Sequence, residues 1–222
     1  MQSGKNALEM SGVPPEEIDM VINCCSSPDD IFGDGTSIAS SLGCHNAVAF
    51  DLTAACSGFL FGLVTATNFM SSPATSPRPV RNVLVVGSDA LSRWVDWGDR
   101  NSCILFGDGS GAVVMSTEEG YAGGGGGGGG TGVLGYSMHS DGRGHDELKC
   151  ASDSKAVPIA TPTPLELSKG GYSPITMNGK KVRKESVRWG KAPSLTDNDF
   201  LCHAVGVRIC HPGGADRAVG SP

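Results

Sequence analysis

Three short apolar runs constrain this chain more than any other feature: "MVINCC" at 20–25, "AVAFDL" at 47–52 and "NVLVVGSD" at 82–89. Each has the length of a strand. The third is apolar enough to be covered on both faces, the habit of strands inside a buried parallel sheet. The stretches between them read as helices. "TSIASSLG" predicts a short helix stopped by Gly43, and from Ser57 onward Phe59, Leu60, Leu63, Val64 and Met70 fall at helical spacing. A helix in each of the two connections is what parallel pairing needs. Upstream, "GKNALEMSG" reads as the end of a helix closed by Gly12, and Pro14 and Pro15 make a turn. Downstream, "SSPATSPRP" ends the long helix. "SCILFGD" and "GAVVMS" read as an antiparallel hairpin turning at "GDGSG", which lacks the Lys-Ser/Thr ending of a nucleotide loop. Strands alternating with helices predict an α/β layered fold.

Bulk properties narrow the function. With 222 residues, 18% charged and a net charge of −6, the chain has no electrostatic footprint for nucleic acid. No apolar run is long enough to span a bilayer, and the expectation is no targeting peptide in this chain. Cysteines stand at 24, 25, 44, 56, 103, 150, 202 and 210. Three of them fall inside strand-like runs, so reduced thiols in a reducing compartment are expected rather than a disulfide framework. Residues 180–222 carry a net positive charge against a negative remainder. Their cluster "GKKVRKESVRWG" reads as a solvated basic stretch. Cys202-His203 and Cys210-His211 match no common zinc spacing, so no metal is expected. Gly123–Gly130 is a run of eight glycines, whose ordering entropy predicts a flexible insertion. Residues 151–174 carry four prolines and read as a long loop.

The candidate nucleophile is Cys56, in "DLTAACSGFL" at 51–60. It follows a strand and precedes a helix. The unpaired amides of a helix N-terminus favour negative charge, and the thiolate is the reactive form of cysteine. The small residues Ala54, Ala55, Ser57 and Gly58 leave room for a substrate to approach. A buried structural cysteine fits the local pattern equally well. His139, in "HSDG", has nothing in the sequence to bring it to a nucleophile and reads as part of a turn.

"DLTAACSGFLFGL", "NVLVVGSDALSRWVDWGDR", "CILFGDGSGAVVM" and "HSDG" together resemble β-ketoacyl-ACP synthase III, in its plastid and cyanobacterial forms. The resemblance covers about residues 4–182. It implies a thiolase-like fold of two α/β halves, of which this chain would hold mainly the first and an incomplete second. Residues 1–120 would form the N-terminal half without its first strand, 121–131 a poly-glycine insertion, 132–182 the rest of the family-like region, and 183–222 a divergent tail. The resemblance further implies a homodimer and an acyltransferase of fatty acid biosynthesis. That enzyme condenses acetyl-CoA with malonyl-ACP to 3-oxoacyl-ACP and CO₂, uses acyl carrier protein as partner and needs no cofactor. It would work in a plastid stroma or a bacterial cytoplasm. Cys56 matches the acyl-accepting nucleophile.

The sequence departs from the family where the histidine and asparagine partners are expected, in stretches like "HQAN" and "GNTS". "DNDFLCHAVGVRI" at 197–209 loosely resembles the first of these, and His203 would then take the histidine role, with Ala204 and Gly206 replacing the glutamine and asparagine. Two alternatives follow: a catalytically inactive fragment that at most binds a full-length subunit, and another thiolase-fold condensing enzyme such as a polyketide synthase.

Overall fold

Strand β1 (Met20–Cys24) lies between β2 (Val48–Leu52) and β3 (Asn82–Ala90) and runs parallel to both. Strand β4 (Asp108–Ser116) extends the sheet antiparallel to β3, giving the order β2-β1-β3-β4. Ile22 sits in register with Phe50 on one side and Val85 on the other. The computed structural model describes residues 1–71, 79–117, 133, 136, 138–153, 155–159, 165–190, 200–202 and 205–207.

Side chains alternate across the strands, so each face of the sheet needs an apolar cover. Val21, Leu84 and Val86 point to the face covered by α1 (Gln2–Ser11) and α2 (Gly35–Leu42), where they meet Leu8, Ala39 and Leu42. Met20, Ile22, Val83 and Val85 point to the opposite face, which α3 (Gly58–Ser71) covers with Ala66. Both short helices end on a left-handed glycine, Gly12 and Gly43, as their sequences predict.

Helix α3 reaches the sheet through Gly62. A Cβ there would collide with the Cys24 Sγ and stand 2.9 Å from Val85 Cγ1. The absence of a side chain thus brings the helix axis close to β1 and β3, and sets the height at which the preceding turn sits.

Three sequence expectations are corrected. His139, read as part of a turn, lies instead in a strand, β5 (Met138–Ser140). The expected hairpin at "GDGSG" does not form: β4 begins at Asp108 and pairs with β3, while residues 101–105 close a turn. Asp99 drives this, since its carbonyl accepts from the amides of Ser102 (3.2 Å) and Cys103 (3.0 Å). Residues 151–174 are also not one loop. Strands β7 (Lys155–Ile159) and β8 (Leu165–Lys169) pair antiparallel, and β6 (Leu148–Lys149) pairs with β9 (Thr176–Met177). Pro158 is tolerated because β7 belongs to a ribbon that has two strands among the described residues, where one side of each strand donates to no described neighbour.

Helix α4 (Gly179–Gly190) runs across residues 182 and 183. Strands β10 (Phe200–Cys202) and β11 (Val205–Val207) pair with each other, and β11 pairs with β5 (Met138–Ser140), setting His139 opposite Gly206. The glycine run 123–130 lies outside the described residues.

The Gly62 contact yields a test of this packing. Gly62→Ala gains about 1 kcal/mol in helix propensity but adds overpacking strain of about 1–3 kcal/mol. The expected outcome is a net loss of up to about 2 kcal/mol in urea unfolding, largely restored in the Gly62→Ala/Cys24→Ala double variant. A Gly62→Ala protein more stable than the native one by the full helix-propensity gain of about 1 kcal/mol would contradict the close approach.

Candidate active site

The three parallel strands end at the same edge of the sheet, and in open α/β sheets ligand sites gather at the carboxyl ends of the strands. Cys56 stands there, in a single 3₁₀ turn (Ala55–Ser57) that joins β2 to α3. Cys56 is exposed, whereas its neighbour Ser57 is buried. Ala55 has φ 48°, the one positive φ at a non-glycine residue among those described. A non-glycine residue in that region costs about 1–3 kcal/mol and persists only where its surroundings impose it. Here the Ser57 amide donates to the Ala54 carbonyl at 3.1 Å, and Gly58 is buried against Cys24. The bend turns the chain from strand to helix within three residues and leaves the Cys56 side chain at the helix start.

Beneath the turn lies a polar cluster that sequence reasoning missed. Asn23, wholly buried near the carboxyl end of β1, donates its side-chain amide to Asp51 Oδ1 and accepts from Ser88 Oγ at 3.1 Å. Asp51 Oδ2 accepts from the Gly35 amide at 2.7 Å, so a carboxylate at the end of β2 caps α2. The signal was present: a polar residue inside each of "MVINCC", "AVAFDL" and "NVLVVGSD", with Asn23 and Asp51 in register and Ser88 two residues beyond.

A second cluster joins β1 to β3. Asp89 Oδ1 accepts from the Ser26 amide (2.9 Å) and from Ser27 Oγ (3.0 Å), and Ser27 Oγ accepts from the Ala90 amide (2.7 Å). Arg93 donates to the Ser27 carbonyl, to the Ala90 carbonyl (3.2 Å) and to Asp29 Oδ1 (2.6 Å). The Asp108 carboxyl, accepting from the Ser92 amide and hydroxyl, is held below its usual range.

The other cysteines separate from Cys56 by environment. Burial pushes the Cys24 thiol up to about 12. Burial also raises Cys25, with the charge of Asp89 adding to it, and raises Cys44 and Cys150. These groups stay protonated near neutral pH and are poor nucleophiles. The sign for stability follows: the unfolded Cys24 ionises near 9.0 and the folded one near 12, so the unfolded state binds fewer protons between those values and stability falls as pH rises through that window.

His203 lies outside the described residues. The strands numbered on either side of it, β10 and β11, both pack beside the Ala55–Ser57 turn. Among the described residues no group of three or more His, Cys, Asp or Glu could hold a metal ion, and no helix is long and apolar enough to cross a membrane.

Comparison with known proteins agrees with this geometry. A model of the 3-oxoacyl-[acyl-carrier-protein (ACP)] synthase III family matches residues 50–142, a span that contains Cys56. The β-ketoacyl-[acyl-carrier-protein] synthase III of Microcystis aeruginosa is 42% identical over 196 residues, covering 88% of this chain and 54% of that protein. The protein of the same name from Acaryochloris marina is 44% identical over 185 residues, covering 83% and 51%. Among solved structures, 3-oxoacyl-[acyl-carrier-protein] synthase III from Aquifex aeolicus superposes with a TM-score of 0.63 at 29% identity, over 84% of this chain and 50% of that one. The priming β-ketosynthase of the R1128 polyketide pathway gives a TM-score of 0.64, also at 29% identity, over 83% and 49%. The fold is therefore of the thiolase-like condensing-enzyme class. Within that class, the chain belongs to the 3-oxoacyl-ACP synthase III family, and it spans about half the length of the curated relatives it matches.

Thiol chemistry tests the contrast among the cysteines. Brief iodoacetamide treatment of the folded protein near neutral pH should label Cys56, with Cys24, Cys25 and Cys44 protected until the chain is unfolded. Peptide mass mapping reads the result. Comparable labelling of Cys24 or Cys25 in the folded state would contradict their burial.

Proposed function

We propose that this chain carries the acyl-accepting step of a β-ketoacyl-ACP synthase III type acyltransferase of fatty acid biosynthesis. The Cys56 thiolate attacks the carbonyl carbon of acetyl-CoA. A sulfur–carbon bond forms, the thioester bond to CoA breaks, and CoA leaves as a thiolate that takes up a proton. The single observation that carries this reading is the placement of Cys56: exposed, at the start of α3, behind the strained Ala55. No cofactor is invoked, because the activated thioester supplies the driving force.

In the full reaction, malonyl-ACP loses CO₂ and the resulting carbanion attacks the acetyl-enzyme. Acyl carrier protein is then the partner. That step needs donors aimed at the developing enolate oxygen, and loss of one such donor costs about a hundred- to a thousandfold in rate. No "HQAN" or "GNTS" stretch is present in the sequence, and His203 is the candidate replacement. The cyanobacterial relatives support a bacterial cytoplasm or a plastid stroma as the place of work.

We further infer a homodimer built on the β2 side of the sheet. Among the described residues strand β2 stands at the edge of its sheet, and its first residue Val48 is exposed. The loop that caps it presents Ile31 and Phe32 almost wholly to solvent. An open strand edge beside two exposed apolar side chains is a surface that pairing with a second copy would cover. A polyketide-type primer role is the second reading, supported by the likeness to the R1128 priming enzyme. Competition between acetyl-CoA and longer acyl-CoA primers for the same thiol separates the two.

The test is to incubate the purified chain with acetyl-CoA, map the adduct, and then add malonyl-ACP, with Cys56→Ala as blank. The expected result is acetyl on the Cys56 peptide and no Cys56-dependent acetoacetyl-ACP. An unmodified Cys56 would sink the reading. Robust acetoacetyl-ACP formation, lost in His203→Ala, would instead assign His203 the role of oxyanion donor.

A further inference from the structure

The Cys56 turn does not hold itself in place. It rests on the carboxyl end of β1 through three contacts. The Cys25 amide donates to the Leu52 carbonyl at 3.1 Å, the Ser26 and Thr53 hydroxyls share a hydrogen bond at 3.3 Å, and Gly58 is buried facing Cys24, where an added Cβ would stand 3.6 Å from the Cys24 Cβ. Cys25 keeps one backbone bond to β2, but Ser26 and Ser27 lie past the end of β1 and are fixed by side chains instead. Their anchor is on the far side, at the end of β3. Asp89 Oδ1 takes the Ser26 amide and the Ser27 hydroxyl together, with Cys25 Sγ 4.0 Å away. Ser27 Oγ in turn accepts from the Ala90 amide, and Ser27 is nearly inaccessible to solvent.

We propose that Asp89 is a positioning residue for Cys56, acting through Ser26, Ser27 and Thr53. Its carboxylate acts on the Ser26 amide and the Ser27 hydroxyl. It fixes residues 25–27 between β3 and the Cys56 turn, so that the sulfur stays at the N-terminus of α3, where backbone amides favour the thiolate. Without Asp89 the Ser26 amide and the Ser27 hydroxyl lose a shared acceptor, residues 25–27 loosen, and the turn follows through Leu52 and Thr53. The essential property is an acceptor oxygen at Oδ1. An asparagine there still offers one, whereas alanine offers none.

This inference rests on the reading of Cys56 as the acyl acceptor, and two readouts keep them apart. The first is the second-order rate of iodoacetamide alkylation at Cys56 near neutral pH, which reports thiol placement whatever the enzyme's substrate. In the full chain, Asp89→Ala is expected to slow it about five- to tenfold, as thiolate stabilisation is lost, with Asp89→Asn within about twofold of the native rate. Circular dichroism at the assay temperature establishes that each variant is folded. If Asp89→Ala does not fold, Thr53→Val, which cuts the link at an exposed position, carries the test. A several-fold slower alkylation supports the proposal and a native rate overturns it. A native rate in Asp89→Ala, or an Asp89→Asn rate as slow as that of Asp89→Ala, also overturns it. The second readout is acetylation by acetyl-CoA. Its failure in the native chain would remove the acyltransferase reading, and the alkylation rates would still decide the role of Asp89.

Discussion

The wholly buried side chain of Asn23 is the constraint on which the rest of this structure depends. A primary amide in the centre of an apolar sheet is costly unless its donors and acceptor are used. Asp51 and Ser88 use them, one on each neighbouring parallel strand. Three strands are thereby pinned to one register by side chains as well as by the ladder. A slip of one residue would turn Asn23 onto the opposite face and leave its amide, the Asp51 carboxylate and the Ser88 hydroxyl without one another. Apolar packing alone would not discriminate as sharply, because both faces of β1 are apolar. The amide sets the register and the aliphatic side chains supply most of the burial energy.

That register decides where the chemistry sits. Asp51 reaches in two directions, to Asn23 and to the first amide of α2, so the loop 25–34 is tied down at both ends. Gly33, with φ 96°, and Gly35 let this loop pass over the carboxylate, since a Cβ on either would meet Asp51 or the Phe50 carbonyl. Rigidity costs entropy, and a loop so closely bonded is not needed merely to connect a strand to a helix. Its effect is to present Ile31 and Phe32 on one side while steadying the support of Cys56 on the other.

Much of this was legible in the sequence, and the reasons differ by element. The runs at β1, β2 and β3 are apolar, short and separated by helical spacing, so the parallel core could be read directly. Cys56 could be read because a helix with small residues begins directly after a strand. The register of "SCILFGD" was misread because its apolar residues suggested a strand, while Asp99 bound the amides that a strand would have offered to a neighbour. Ile104 and Leu105 remain exposed as a result. The ribbon of β7 and β8 was missed because prolines argue against strands in general, though not against strands with a free edge. Asn23, Asp51, Ser88, Asp89 and Arg93 were overlooked for one shared reason: their partners are 16 to 66 residues distant in sequence, and periodicity describes only near neighbours.

The same distances explain why the thiol can be reactive while the cysteines around it are inert. Cys24 closes β1 and Cys25 follows it directly, where burial dominates and keeps the proton on. Cys56 lies a few residues beyond the sheet, past a strained bend that the polar clusters of β1 and β3 hold in shape. Strain at Ala55 of about 1–3 kcal/mol is sustainable only because the surrounding hydrogen bonds would all be lost together if the turn relaxed. Stability of the sheet and reactivity of the turn are therefore not separate properties of this chain. The buried polar groups that fix the strands also underlie the turn that carries the exposed Cys56 thiol at the helix start.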